Sequence, residues 1–519
     1  MCVDAGESPE APFVVAPIAS AMAPAVTPWR AAAAALLARL PGGGFGRSVV
    51  TLASGTAVAQ LLLALAMPVL TRLYTPADYG SLAVYSSTLT VLLVVASLRY
   101  EVAIPLPEDE STAASLLALT VALLTGMAAM LSLLVWLGGD AFVDLFRVPA
   151  LRPYLWLVPV GLFGAGMYQA LSYWAIRRRA FTRIARTKLS QGIGQVVSQL
   201  ALGVARVGAP GLLIGDVIGR VAGGGGLALL ALRDRPALLV SGASLAAAAR
   251  RYRRFPLLTT WAGLFNIGSL QLPSLMFAAS FGAVAAGLYS LSYKMLVLPT
   301  MLIAQAVGQV FLSRAAELAR EPERLRRLTE RTALVLFACG LPVFATVGLS
   351  GPWLFATVMG SQWEQAGRYA QVLAPWFVFW VVSNPLSGLL SVREWQGSAL
   401  AFSAFEFSLR LGSLLIGARR GSPMLAVALL SASGVIIAVA SIARFLRAGH
   451  SSILHLALPA ARLVALAAGL LLPAAAALHT GHDRLGLVAA GLAVAAYYAV
   501  VLRSEAASRI LLLRPDPAT

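Results

Sequence analysis

Charge is scarce in this chain. Of 519 residues, 12% are Asp, Glu, Lys or Arg and 59% are hydrophobic. A water-soluble domain carries about 25% charged residues, so that class is excluded. Cysteine is nearly absent: Cys2 lies near the N-terminus and Cys339 in an apolar run, which excludes a disulfide framework. The four histidines, His450, His455, His479 and His482, lie at or beyond the end of the twelfth apolar run, mostly in loops. No Cys/His set has metal-ligand spacing, and no Walker or dinucleotide glycine pattern occurs. The sequence therefore calls for no cofactor and no ATP site, and the chain is not read as an enzyme. Lysine is also rare, contributing two of the 40 basic residues.

Long apolar runs are what the chain has instead. A hydrocarbon core about 30 Å thick needs about 20 apolar residues per helix. By that measure fourteen spans are expected, near 48–71, 80–98, 112–137, 151–176, 189–206, 210–232, 255–281, 284–312, 332–350, 370–390, 397–416, 422–443, 457–478 and 485–502. The fold class is an all-α polytopic membrane protein. Residues 1–47 are rich in Ala, Pro and Gly and have three acids before residue 11. They offer neither the basic start nor the cleavage site of a secretory signal. They are expected to form a disordered cytoplasmic extension, with a short helix at "WRAAAAALLARL".

A formal net charge of +18 could suggest nucleic acid, so position must decide. With the N-terminus inside and alternating spans, inner loops and tails hold 28 Lys/Arg and outer loops 8. The other four, Arg220, Lys294, Arg410 and Arg462, fall well inside spans, with Arg152 and Arg206 at span edges counted among the outer-loop residues. This asymmetry places both ends in the cytoplasm. The blocks "RRRAFTRIARTK", "RRYRRF" and "REPERLRRLTER" are topology anchors, with anionic lipids as additional partners. Nucleic acid is excluded as a partner.

The chain also echoes itself. "MPVLTRLYTPADYGSLAVYS" (67–86) and "LPSLMFAASFGAVAAGLYSLSY" (272–293) share Pro, turn, then Gly. Pro68 and Pro273 are 205 residues apart, and Gly80 and Gly287 are 207 apart. Six spans fill that offset, so the halves are parallel repeats about an axis normal to the membrane. The expected division is a six-helix bundle at 48–232, a basic cytoplasmic linker at 233–254, a second bundle at 255–445, and two further helices with a short tail at 446–519.

"TRLYTPADYGSLAVYSS" followed by "LRYEVAIPLPEDE" resembles the start of bacterial polysaccharide and O-antigen flippases of the Wzx type. These belong to the multidrug/oligosaccharidyl-lipid/polysaccharide exporter superfamily. "FPLLTTWAGLFNIGSLQLP", "AGLYSLSYKMLVLPTMLIAQAVGQVFLSRAAEL", "GSQWEQAGRYAQVLAPW" and "SNPLSGLLSV" resemble the same family in the same order, over about residues 48–445. The resemblance implies two six-helix bundles around a central cavity, plus two helices. It implies transport of an undecaprenyl-diphosphate-linked oligosaccharide from the inner to the outer leaflet of the inner membrane, beside polysaccharide polymerase machinery. Alternatives are a lipid II flippase, a drug/cation antiporter of the same superfamily, and a membrane glycosyltransferase or polymerase. The last needs an external catalytic platform, and the longest expected outer loop, 350–369, has one acid, Glu364.

Charges inside spans are the candidate functional residues, because each costs about 2.5–3.5 kcal/mol at mid-membrane on insertion scales. Asp216 and Arg220 in "LIGDVIGR", and Glu406 and Arg410 in "FEFSLR", are spaced one helical turn apart. Each pair either neutralises itself, or holds a coupling ion (proton or sodium) or substrate. Lys294 has no acid within one turn, and Gln305 and Gln309 share its polar stripe. A buried cation of this kind suits a visiting diphosphate. Asn266, Ser269 and Gln271 are polar positions in the seventh span, which Pro273 is expected to break. Arg99 and Glu101 stand at the inner mouth and Arg72 at the outer mouth. "AGGGG" (222–226) is read as close helix packing. With no ATP site, Glu101, Asp216 and Glu406 are the carboxylates available for ion coupling.

The charge asymmetry has a direct test. A single cysteine at position 183, in a cysteine-free background, should resist a membrane-impermeant thiol reagent in intact cells. Efficient labelling there would reverse the expected topology.

Overall fold

The computed structural model describes residues 43–234, 240–389 and 397–503; the side chains of 43–54, 305, 306, 309, 397–400 and 502 are outside that description. The "WRAAAAALLARL" segment and Cys2 also lie outside the described residues. Among those described, every regular element is helical. That follows from the solvent: a hydrocarbon phase satisfies no backbone N–H or C=O, and a helix pairs them internally.

The first bundle comprises α1 (Gly43–Leu73), α2 (Pro76–Ala96), α3 (Glu110–Phe146), α4 (Leu157–Arg177), α5 (Phe181–Val204), α6 (Ala209–Val221) and α7 (Gly224–Asp234). α8 (Gly242–Arg251) lies in the connection. The second bundle comprises α9 (Thr260–Glu317), α10 (Pro322–Met359), α11 (Glu364–Leu386), α12 (Gly397–Arg419) and α13 (Pro423–Ala448). The hairpin of α14 (Ile453–His479) and α15 (Asp483–Arg503) packs on α10, where the Tyr498 hydroxyl donates to the Cys339 carbonyl at 2.6 Å.

Ten helical stretches of the described residues are long and apolar enough to cross a membrane, by length and composition. One of them, Phe255–Ala304, holds two of the expected spans. α9 has 58 residues, and a straight helix of that length would reach about 87 Å. It doubles back instead. Gly282 leaves helical geometry at φ 86°, and the rings of Phe277 and Tyr289 stack at 4.7 Å across it. Along a straight helix those residues would be about 18 Å apart. α4, α5 and α11, at 21, 24 and 23 residues, have crossing length but are less apolar.

Several expectations are corrected. Pro273 does not break its helix; the chain turns at Gly282. Neighbouring helices supply partners around prolines in membrane helices, so proline alone is a weak breaker there. The sixth span is discontinuous: Ala222 is extended (ψ 137°) and Gly223 has φ 79°, separating α6 from α7. The "AGGGG" segment is that break, not a packing seam. A Cβ on Gly225 or Gly226 would meet nothing within 4 Å, although one on Gly223 would touch Thr187 at 2.9 Å. The connecting segment is not bare linker, since α8 docks on the first bundle: Tyr100 donates to the Ala249 carbonyl at 3.1 Å, and Ser115 to the Ser244 hydroxyl at 2.9 Å.

The two bundles meet mainly through α2 and α9. A Cβ on Gly80 would lie 1.9 Å from the Ala283 carbonyl oxygen, and one on Gly287 would lie 1.8 Å from that of Pro76. Pro76 and Ala283, like Gly80 and Gly287, are 207 residues apart, so the contact is reciprocal between equivalent positions of the repeat. The turn from α1 to α2 owes its shape to "YTPADYG". The Thr75 hydroxyl accepts from the Asp78 N–H, the Asp78 carboxylate accepts from the Thr75 N–H, and Pro76 opens the helix. This turn is clasped by the second bundle. Gln362 Nε2 and Trp363 Nε1 both donate to the Thr71 carbonyl at 2.8 Å, and Trp363 meets Tyr79 edge-on at 5.1 Å.

No side chain fits at the crossing. Gly287→Val should destabilise the protein by about 1–3 kcal/mol through overpacking. Gly225→Ala, in open space, should leave the melting temperature unchanged or raise it. Comparable melting by the two purified variants would contradict the crossing.

Candidate functional site

The site begins at the broken helix. α6 carries Asp216 and Arg220 on one face, where Arg220 Nε donates to Asp216 Oδ2 at 2.6 Å. The break just beyond leaves the Arg220 carbonyl without a helical partner, and the Gln191 amide donates to it at 2.8 Å. Gln191, Gln195 and Gln199 recur every fourth residue on α5, facing α6. Gln199 donates to the Leu212 carbonyl at 3.2 Å, and a Cβ on Gly219 would press on Gln195. Lys188 extends this row: its ammonium donates to Gln191 and lies 4.9 Å from the Tyr168 ring centroid. This amide row was visible in "SQGIGQVVSQL" as polar residues at helical spacing, but sequence reasoning passed over it.

Lys294, on the returning arm of α9, faces this cluster from the opposite bundle. It lies within electrostatic reach of both Asp216 and Arg220, and Tyr85 on α2 feels the same pair. Among the described residues Lys294 makes no ion pair, and it retains part of its accessible surface. Two cations and one carboxylate thus leave one surplus positive charge between the bundles. The side chains of Gln305 and Gln309 lie outside the described residues.

A second cluster occupies the turn between α2 and α3. Glu101 is 1% exposed. It accepts from the Ser97 hydroxyl and, at 3.3 Å, from the Gln169 amide; Arg99 stands 3.8 Å away. Leu98 and Arg99 both have positive φ, 51° and 63°, an uncommon conformation for side-chain-bearing residues. Arg99 thereby reaches across to α9, where a Cβ on Gly263 would lie 3.1 Å from its guanidinium. Its buried Nε has no hydrogen-bond partner. Asn266, one turn along α9 from Gly263, is exposed on the same face.

The other candidates are placed elsewhere. Arg410 is 2% exposed inside the second bundle, paired with Glu406 at 2.7 Å, and its guanidinium lies 5.0 Å from the Trp376 ring centroid. It also reaches the Ser269 carbonyl at 3.5 Å. Arg72 is exposed and reaches the Thr357 carbonyl at 3.4 Å, adding to the clasp rather than lining a cavity. Gln271 accepts from Ser87 at 2.9 Å and joins the bundles. The start of the basic block after α4 is engaged within the protein: Arg178 pairs with Glu110 and Asp234, and Arg177 donates to the carbonyls of Pro107, Glu108 and Asp109.

Two helical bundles with charged residues between them define the class, an all-helical polytopic membrane protein, and solved structures bear out the fold. The chain is similar to the lipid II flippase MurJ in an inward closed conformation (TM-score 0.69, 9% identity, 90% of this chain and 100% of that one). It is similar also to an inward-facing multidrug resistance MATE family transporter of the MOP superfamily (TM-score 0.55, 15% identity, 80% of this chain and 97% of that one). The chain belongs to the polysaccharide biosynthesis protein family, whose model matches residues 69–368. Two relatives are 25% identical. The amylovoran biosynthesis protein AmsL of Erwinia amylovora matches over 134 residues, 24% of this chain and 34% of its own length. The lipopolysaccharide biosynthesis protein WzxC of Escherichia coli K12 matches over 183 residues, 35% of this chain and 36% of its own length. The matches therefore span about a third of each relative.

Glu101 lies outside the membrane-spanning segments, and burial raises its pKa above the ordinary carboxylate value, against the opposing pull of Ser97 and Arg99. A raised acid favours the fold below its unfolded pKa and loses that contribution as pH rises through the folded value. Glu101→Gln should therefore melt above the wild type at pH 8. The difference should vanish below the ordinary carboxylate range. A pH-independent difference would show that Glu101 is not buried as the carboxylate.

Proposed function

We propose that the protein is a flippase moving an undecaprenyl-diphosphate-linked oligosaccharide across the bacterial inner membrane for surface polysaccharide assembly, whether O-antigen, capsule or exopolysaccharide. The observation that carries this is Lys294, which makes no ion pair among the described residues and is set between the bundles within electrostatic reach of Asp216 and Arg220. A cation in a low-dielectric site costs several kcal/mol unless an anion or water meets it. A diphosphate supplies that anion. Family membership and the names of the relatives support the polysaccharide pathway.

Both termini lie in the cytoplasm in this reading, and the bundles at 48–232 and 255–445 rock about the α2–α9 crossing. The clasp at Thr71 and Trp363 closes the outer side. Cargo enters from the inner side, past Arg99, Glu101 and Asn266. No ATP site is read in the sequence, so a proton or sodium gradient, or removal of product by a polymerase, supplies the direction. Glu101 is the carboxylate placed to bind the coupling ion. Glu406 and Arg410 brace the second bundle. A second reading, a lipid II flippase, is favoured by the MurJ-like fold and requires the same diphosphate contact.

Lys294→Ala should express and fold normally yet restore less than a tenth of surface polysaccharide in a strain lacking its own flippase. Lys294→Arg keeps the charge in a planar fork and should rescue partially. Full transport by the alanine variant at normal protein level would remove Lys294 from the site. Rescue of a lipid II flippase-deficient strain, without rescue of surface polysaccharide, would favour the second reading.

A further inference from the structure

An apolar cavity of about 130 Å³, continuous with a wider open groove, lies away from the crossing, between the second bundle and the C-terminal hairpin. Its wall includes Leu334 and Phe337 of α10, Phe379 of α11, Ile442 of α13, and Leu456 and Ala457 of α14. The lining presents no polar surface, and the cavity is partly open. No residue of the first bundle contributes to it, so it is separate from the space between the bundles.

The chemistry changes at the end facing the start of α10. Glu330 Oε1 accepts from Ser451 at 2.6 Å and from Arg326 at 3.1 Å, and is 3.1 Å from His455 Nδ1. This knot holds the start of α14 against α10 and leaves the space beyond it unfilled. It also consumes the nearby carboxylate. Arg331 and Arg327, one and two turns before Leu334, share that helix face and have no ion pair among the described residues. Side chains on a helix lean toward its N-terminus, which carries both guanidinium groups beyond the apolar wall. Arg331 is half-buried and Arg327 exposed.

We propose that this cavity binds one anionic glycerophospholipid, with an acyl chain along Leu334, Phe337 and Leu456 and the phosphate on Arg331 and Arg327. A chain without polar groups matches the lining, and a headgroup of opposite charge matches the rim. The lipid fills the seam that joins the α14–α15 hairpin to the second bundle. The proposal is independent of the transported cargo.

Native mass spectrometry of the purified full chain tests it, with phosphatidylglycerol and phosphatidylcholine of equal chain length as probes. The wild type should retain a phosphatidylglycerol adduct and bind phosphatidylcholine at least about tenfold more weakly, from two arginines. Arg327→Ala and Arg331→Ala should each weaken the phosphatidylglycerol adduct about fivefold. Leu334→Trp, which fills the cavity, should remove it. Arg183→Ala with Arg186→Ala, on the exposed part of the α5 basic block, should leave it intact. Equal retention of the two lipids would overturn the proposal, as would an unchanged adduct in the arginine variants. Displacement by equimolar undecaprenyl phosphate would overturn it too, by assigning the cavity to the carrier lipid.

Discussion

Hydrocarbon offers no hydrogen bonds, and most of what is distinctive here follows from that. Where α6 stops at Ala222, a backbone carbonyl is freed in an apolar surrounding. The Gln191 amide takes it at 2.8 Å. Several buried hydroxyls are met within their own helices: Thr71, Thr120, Ser292 and Thr300 donate to carbonyls one turn back. An unpaired polar group would cost several kcal/mol in this solvent, so the Gln191 amide, unremarkable in sequence, repairs the backbone at the break.

The same solvent makes close packing the main adhesive between helices, since lipid tails are as apolar as leucine. This explains why the bundles touch through glycine. Gly80 and Gly287 bring α2 and α9 into backbone contact, and their equivalence in the repeat makes the contact symmetric. Further along the same pair of helices, Ser87 donates to Gln271 at 2.9 Å. More hydrogen bonds join the bundles at the clasp beside the crossing, around Thr71 and Trp363.

Charge is treated in three ways, which sequence spacing does not separate. Asp216–Arg220 and Glu406–Arg410 are the same motif, an acid and an arginine four residues apart. Arg410 is sealed against Trp376 inside one bundle, whereas Arg220 lies at the interface within reach of a cation from the other. Glu101 has a third environment, held by Ser97 and Gln169 and opposed by a strained Arg99. Identical local pairs thus have different standing because different helices stand behind them.

The all-helical membrane fold, the near-parallel repeat and the turn between the seventh and eighth spans were legible because they depend on local quantities. These are run length, the spacing of Gly80 and Gly287, and the two separate apolar runs expected at 255–281 and 284–312. The candidate site was legible only in part. Lys294, Asp216 and Arg220 could each be picked out as charges in apolar runs, yet their coming within electrostatic reach depends on packing residues 78 positions apart in sequence. The break at Ala222–Gly223 was misread because a glycine run permits both close packing and a break in the helix. Which one occurs depends on what stands opposite, here Thr187 and Gln191. Sequence by itself determined which residues must leave water and which charges would be costly. Tertiary structure decided which of those charges come within reach of one another, because in a low-dielectric interior a charge's role is set by its neighbours, and some of those come from distant helices.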